Sequence, residues 1–126
     1  MHTAKDYLDA ANAEITRIPA TDALPRHGHA VFVDVRDSGA IAKTGTIAGA
    51  ARVPRGMLEF MADPATQYYN PALQKDAEIM LVCGAGGQAA LAGRTLKEMG
   101  FTNVTNIGGI GDWSAAGGPM EDKPAT

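Results

Sequence analysis

The pattern of apolar and polar positions predicts five strands that alternate with helices. Two runs, AVFVDV at 30–35 and IMLVC at 79–83, are almost wholly apolar, as expected for strands buried on both faces of a parallel sheet. Three shorter β-prone runs cover residues 14–18, 51–53 and 103–107. Because strands that alternate with helices form parallel sheets covered on both faces, we expect an α/β fold with a five-stranded parallel sheet.

Helical segments are predicted between these strands. Thr3 can cap a short first helix, since Asp6 follows it three residues later. A longer helix is expected from Ala89 to Met99, where apolar residues recur on one side. Gly100 is expected to end this helix in the left-handed conformation that glycine adopts without strain.

The remaining segments and the chain length are those of a single domain. Helical pieces are expected at 57–61 and around Trp113, and the tail after Gly117 has no periodicity and is expected to be loose. The 126 residues are the size of one domain that buries a core without metal or disulfide support. We therefore predict a single domain over 1–126, with its core at about 15–119.

Composition narrows the classes of partner. A net charge of -3 leaves no basic footprint for nucleic acid. One cysteine cannot form an intrachain disulfide, so the thiol is free, capped or used for its chemistry. The N-terminal sequence MHTAKDYLDAANAEI has charged residues and no apolar core region, so we expect neither a signal peptide nor a membrane span, and a cytoplasmic protein.

The stretch LVCGAGGQAALAGRTL at 81–96 contains a motif that resembles a dinucleotide fingerprint. Gly84, Gly86 and Ala89 fit a loose G-x-G-x-x-A pattern at a strand-to-helix turn. That pattern should open the first βαβ unit and be followed by an acidic residue about 20 positions later. Here the turn comes late in the chain and the next strand ends without Asp or Glu, so a dinucleotide site is disfavoured.

Cys83 ends the strand before the same turn and suggests sulfur chemistry instead. A thiolate is stabilised at a helix N-terminus or near a cation, and glycines allow backbone N–H groups to converge on one point. A thiolate, a persulfide or the tetrahedral group of a donor would be stabilised over this loop. The alternative is that Cys83 is a small buried hydrophobic residue. The glycine-rich turn favours the functional interpretation.

Several motifs agree in order and spacing with the rhodanese pattern, which the sequence resembles from about residue 15 to 119. They are VDVRD at 33–37, GTIAGAARVPRG at 45–56, CGAGGQ at 83–88, GFTNVTNIGGIGDW at 100–113 and AAGGP at 115–119. The resemblance implies a five-stranded parallel α/β domain with helices on both faces. It also implies that Cys83 is the catalytic nucleophile, which carries sulfane sulfur as a persulfide.

The resemblance further implies a substrate-binding cradle in the loop after the cysteine. Its members are Gly84, Ala85, Gly86, Gly87, Gln88 and Ala89. Sulfur-handling loops of this family follow C-x-x-x-x-R, whereas related dual-specificity phosphatases have a loop one residue longer, so the loop length favours sulfur over phosphate. Gln88 stands at the arginine position without a charge, so thiosulfate is expected to bind more weakly. Arg55, just past the third strand and oriented by Glu59, is expected to supply the missing positive charge.

Other polar residues are interpreted as structural. Asp34 interrupts an apolar strand and is expected to be buried and paired. The resemblance implies structural roles for Asp34 and Arg36, and Trp113 is expected to anchor the packing of the last helix. His27 and His29 have no cysteine or carboxylate partners at ligand spacing, so a polar loop is favoured over a metal site.

The expected function is that of a thiosulfate sulfurtransferase. The Cys83 thiolate takes sulfur from a donor such as thiosulfate and passes it to a thiol or cyanide-like acceptor, without a metal or organic cofactor. One alternative is a rhodanese-like binding, regulatory or sulfur-carrier module with weak or no thiosulfate activity, because Gln88 replaces the loop arginine. Another is a phosphatase or arsenate reductase. We expect no nucleic-acid or membrane partner, and a monomer or weak homodimer.

Overall fold

The main sheet of the computed structural model, which describes residues 1–124, contains five parallel strands. Across the sheet, the order is β1 (Thr16–Arg17), β6 (Val104–Gly109), β5 (Ile79–Cys83), β2 (Val31–Asp34) and β4 (Ala51–Arg52). The predicted five-stranded parallel sheet is therefore confirmed. The two apolar runs of the sequence are the neighbouring strands β5 and β2, which explains why both lack an alternating polar face.

Over residues 1–124, six α-helices surround this sheet. They are α1 (Ala4–Glu14), α2 (Ala20–Ala23), α3 (Ser38–Thr44), α4 (Leu58–Ala62), α5 (Gly87–Glu98) and α6 (Ile110–Ala115). Thr3 caps α1 as predicted, because its side chain and that of Asp6 each accept a hydrogen bond from the other's backbone N–H. Gly100 follows α5 with a φ of 102°, as expected for the left-handed end of a helix. Within residues 1–124, no helix has both the length and the apolar character needed to cross a membrane.

The core lies on both faces of the sheet, divided by the alternating side chains of β5. Leu81 and Cys83 pack on one face, in a cluster that includes Leu96 of α5. Met80 and Val82 pack on the other face, against side chains from β2 and α6. Because successive strand residues point to opposite faces, the sulfur of Cys83 lies on the α5 side of the sheet.

Two segments contain elements that the pattern of apolar and polar positions does not predict. The glycine-punctuated stretch at 39–49 includes most of α3, whose N-terminus is capped by the Asp37 side chain bound to the backbone N–H of Ala40. The tail was expected to be loose, but β7 (Met120–Glu121) pairs antiparallel with β3 (Thr46–Ile47). Side-chain bonds from Arg52 to Glu121 and Asp122 fasten it further. Residues 125 and 126, which that prediction also covered, lie outside the described residues.

Candidate functional site

The cysteine and its loop occupy the carboxyl end of the central strand β5. Cys83 is the last residue of β5, and α5 begins four residues later at Gly87. Gly84 and Ala85 are exposed, whereas Gly86 is buried and adopts a φ of 111°. The first backbone N–H groups of an α-helix have no partners within the helix, so this turn presents free donors and the positive end of the helix dipole.

One of these donors is aimed at the sulfur. The Gly86 N–H donates a hydrogen bond to the Cys83 Sγ, with 2.9 Å between nitrogen and sulfur. Cys83 itself is only 1% exposed and also contacts the apolar cluster beneath α5. Cys83 therefore packs against the apolar core, and its sulfur accepts a hydrogen bond from the loop.

Arg17, a residue that the sequence analysis did not select, lies against the outer side of this loop. Its Nη2 donates to the carbonyl oxygen of Ala85 at 3.0 Å. The guanidinium reaches the loop because β1 lies next to β6 and places Arg17 beside Asn106 in the register. A signal was present in the sequence, because Arg17 stands near the end of a predicted strand, where parallel strands direct residues toward the site.

Asn106, a buried polar residue of β6, joins the loop to the end of its own strand. Its Nδ2 donates to the carbonyl oxygen of Gly86 at 2.9 Å, and its Oδ1 accepts from the backbone N–H of Gly108 at 2.8 Å. Gly109 pairs with Cys83 across β5 and β6, and the carbonyl group of Gly84 fills the space that a Cβ on Gly109 would need. The end of β6 therefore forms the floor on which the cysteine loop rests.

The other predicted binding residues lie in two places. Gln88 is exposed in the first turn of α5, and Ala89 behind it is fully buried. The Arg55 guanidinium forms an ion pair with Glu59 at 3.0 Å and donates to the Thr95 hydroxyl at 3.1 Å. Glu59 and Thr95 thus hold the guanidinium against the middle of α5, beside a cavity formed with α1, and a role of Arg55 in binding the donor stays a prediction.

Asp34 and Arg36 form a buried ion pair beside the sheet. Asp34 is fully buried and Arg36 is 5% exposed, with 2.8 Å between Nη2 and Oδ2. The Thr46 hydroxyl also donates to Asp34, and Arg36 donates to the Gly45 carbonyl oxygen. The carboxylate is therefore buried and paired as its position in the strand predicts, and the bonds of this pair connect β2 to β3.

Trp113 and His27 contribute to packing on the opposite face. Trp113 is fully buried, packs on Phe32 and donates its indole N–H to the Pro119 carbonyl oxygen. His27 packs against both aromatic rings, and its Nε2 lies 2.7 Å from the Ala48 carbonyl oxygen. Among residues 1–124, no group of three or more His, Cys, Asp or Glu side chains is arranged to hold a metal ion.

The fold and the loop define a parallel α/β domain with a cysteine at the N-terminus of a helix. The rhodanese-like domain family matches residues 20–116, which is most of the chain. The protein therefore belongs to the rhodanese-like family, as the sequence motifs indicate.

Several known proteins are similar to it. A protein of unknown function from Rhodopseudomonas palustris CGA009, described as a possible tyrosine phosphatase, matches with a TM-score of 0.88 and 39% identity over 96% of each chain. The polysulfide-sulfur transferase homodimer of Wolinella succinogenes matches with a TM-score of 0.69 and 27% identity, over 92% of this chain and 85% of that one. The adenylyltransferase and sulfurtransferase UBA4 of Candida albicans is 43% identical over 54 residues, which are 42% of this chain and 12% of that protein. The chain thus spans about a third or less of the curated relatives that it matches.

Proposed function

We propose that the protein is a sulfurtransferase that carries sulfane sulfur as a persulfide on Cys83. In the first step, the Cys83 thiolate attacks the outer sulfur of thiosulfate, the S–S bond of the donor breaks, and sulfite leaves with the bonding electron pair. In the second step, an acceptor thiolate or cyanide attacks the outer sulfur of the persulfide, and the Cys83 thiolate is regenerated. The two half-reactions exchange no net electrons with any further reagent, and each forms one bond to sulfur and breaks one.

The observation that carries this proposal is the hydrogen bond from the Gly86 N–H to the Cys83 sulfur. A hydrogen bond that strengthens when its acceptor becomes an anion favours the thiolate over the thiol. The persulfide is also an anion, and its outer sulfur would extend toward the N-terminal turn of α5. Membership of the rhodanese-like family and the polysulfide-sulfur transferase among its relatives support the same chemistry.

Donor binding in this proposal depends on the loop and on one distant cation. The exposed residues Gly84 and Ala85 are where a donor would approach a sulfur that is otherwise enclosed. Gln88 offers an uncharged donor in the first turn of α5. The Arg55 guanidinium is bonded to Glu59 and Thr95, so it reaches the donor by exchanging one of these partners for the donor's oxygens. Arg55→Ala should then raise the thiosulfate concentration needed for half-maximal sulfur uptake. An unchanged concentration would remove Arg55 from the donor site.

The test is to count sulfur atoms on the protein. After incubation with thiosulfate, polysulfide or mercaptopyruvate, intact mass should show one added sulfur that disappears on treatment with cyanide or a reducing thiol. Cys83→Ser should gain none under the same conditions. If no donor adds sulfur to the wild-type protein, the sulfurtransferase proposal is wrong and the binding or regulatory module takes its place.

A second candidate function is a phosphatase, because the R. palustris protein is described as a possible tyrosine phosphatase. The loop from Cys83 to Gln88 has the shorter, sulfur-handling length and no arginine for a phosphate dianion. We therefore expect no hydrolysis of an aryl phosphate above that of Cys83→Ser. Cys83-dependent phosphate release, without sulfur uptake, would reverse the assignment.

A further inference from the structure

One peptide unit of the cysteine loop is hydrogen-bonded at both of its ends. Its carbonyl oxygen, from Ala85, accepts from Arg17 Nη2 at 3.0 Å, and its N–H, from Gly86, donates to the Cys83 sulfur at 2.9 Å. The structure contains no cis peptide bond within the described residues, and in a trans peptide the C=O and N–H groups point in opposite directions. Arg17 and Cys83 therefore lie at opposite edges of the same peptide unit, each bonded to one of its two polar groups.

This arrangement has an electrostatic consequence. A cationic donor on the carbonyl oxygen draws electron density toward that oxygen, which makes the N–H at the other end of the amide a stronger donor. It also prevents the peptide from rotating to point its carbonyl oxygen at the sulfur. Both effects favour negative charge on the sulfur over the neutral thiol.

The local sequence leaves room for the guanidinium. Gly86 and Gly108 have no side chains, and a Cβ built on Gly108 would come within 3.1 Å of Arg17 Nη2. On Gly86 a Cβ would lie only 2.7 Å from Arg17 Cζ. Arg17 thus occupies the surface that these two glycines leave open, on the outside of the loop.

We infer that Arg17 is a positioning residue that stabilises the anionic forms of Cys83 through the Ala85–Gly86 peptide. It provides from β1 a positive charge that the loop lacks, because Gln88 stands at the position where the family pattern has arginine. Arg17 acts on the sulfur through the backbone and does not contact the donor. The inference rests on the proposed function, since it assigns a role in activating the nucleophile of that reaction.

The experiment measures the reactivity of the sulfur itself and is independent of sulfur transfer. The rate of Cys83 alkylation by neutral iodoacetamide and by anionic iodoacetate is followed across pH in the wild type, Arg17→Gln and Arg17→Lys. Glutamine is too short to keep the bond to Ala85, whereas lysine retains both a charge and a donor. Arg26→Gln is the matched control, because Arg26 pairs with Glu78 just before the opposite end of β5. Thermal unfolding confirms that each variant is folded.

Arg17→Gln should slow alkylation near neutral pH by about threefold to tenfold with both reagents, the loss expected for one hydrogen bond. The half-maximal rate should move to higher pH, and Arg17→Lys should recover part of the loss. The deficit should persist in about 1 M salt, where the Debye length is only about 3 Å and a distant charge would be screened.

Three results would overturn the inference: Arg17→Gln behaving as the wild type, a deficit for iodoacetate alone, or a deficit that disappears in high salt. The last two would mean that Arg17 attracts anions through space and does not act through the peptide. These outcomes are distinct from failure of the proposed function. If the proposed function is wrong, the wild type takes up no sulfur from any donor, whatever the alkylation rates of the variants.

Discussion

The guanidinium of Arg17 occupies the space in which a side chain on Gly86 would begin. A Cβ at Gly86 would lie 2.7 Å from Arg17 Cζ, well inside contact distance, and Gly86 also holds a φ of 111°. Both facts require glycine at this position, one because of the neighbour and the other because of the backbone. The loop residue that donates to the sulfur is therefore also the residue that allows an arginine to approach.

Replacing Gly86 by alanine should impair both the loop and the sulfur chemistry. The positive φ costs an alanine about 1–2 kcal/mol, and the methyl group displaces Arg17 from the Ala85 carbonyl oxygen. We expect lower stability in urea unfolding and little sulfur uptake by intact mass. Gly111→Ala in α6, outside the loop, is the matched control, since a Cβ there meets no atom within 4 Å and φ is not positive. Equal sulfur uptake by the two variants would contradict the role given to Gly86.

Gln88→Arg should improve binding of anionic donors. Gln88 is exposed in the first turn of α5, so an arginine there can extend over the loop without displacing core residues. We expect the thiosulfate concentration for half-maximal rate to fall by about threefold to tenfold, as a charge-assisted bond replaces a neutral one. A cation at a helix N-terminus should cost about 0.3–1 kcal/mol of stability. Gln67→Arg, an equivalent change in the loop after α4, should leave the half-saturating concentration unchanged.

If Gln88→Arg needs as much thiosulfate as the wild type, position 88 does not face the donor. That result would place the donor site nearer to the exposed residues Gly84 and Ala85. It would leave the persulfide assignment to Cys83 intact, because the sulfur adduct is measured separately.

Much of the fold could be predicted because its strands have strong local signals. The apolar runs that become β2 and β5 can only be buried, and the glycine after α5 marks its end. Strand β7 could not be predicted in this way. It is two residues long and is held by pairing with β3 and by Arg52, contacts that join residues far apart in sequence.

The site was predictable in part, for a related reason. Cys83 is recognisable from the glycines beside it, which form one continuous motif. Arg17 and Asn106 reach the same loop from β1 and β6, and only the strand order brings them there. Neighbours that meet through sheet topology leave no spacing pattern in the sequence. The motifs therefore indicate Arg55, which lies in one of them, and only the strand-end position of Arg17 indicates that it lies near the loop.

Arg36→Met should destabilise the protein much more than Arg26→Met. It removes the partner of Asp34 and leaves a fully buried carboxylate with fewer bonds, which costs about 3–5 kcal/mol. Urea unfolding measures this loss, and Arg26→Met, which removes an exposed ion pair, should cost much less. Adding Asp34→Leu to Arg36→Met should recover part of the stability. No recovery would mean that the pair contributes more than mutual charge compensation.

The Arg26–Glu78 pair should make stability depend on pH in the acid range. Hydrogen bonds from the Arg26 guanidinium lower the pKa of the Glu78 carboxyl below its ordinary value. A lowered folded-state pKa stabilises the protein above the unfolded-state pKa, and this stabilisation is lost as pH falls through the folded-state value. The stability difference between the wild type and Glu78→Gln should therefore be largest near neutral pH. It should shrink as pH falls below the ordinary glutamate pKa of about 4.3, and the charge-dependent part should be lost below the lowered folded-state pKa. Urea unfolding across this range is the measurement, with the exposed Glu98→Gln as control. A difference that stays constant with pH would show that Glu78 stabilises the fold by packing and not by its charge.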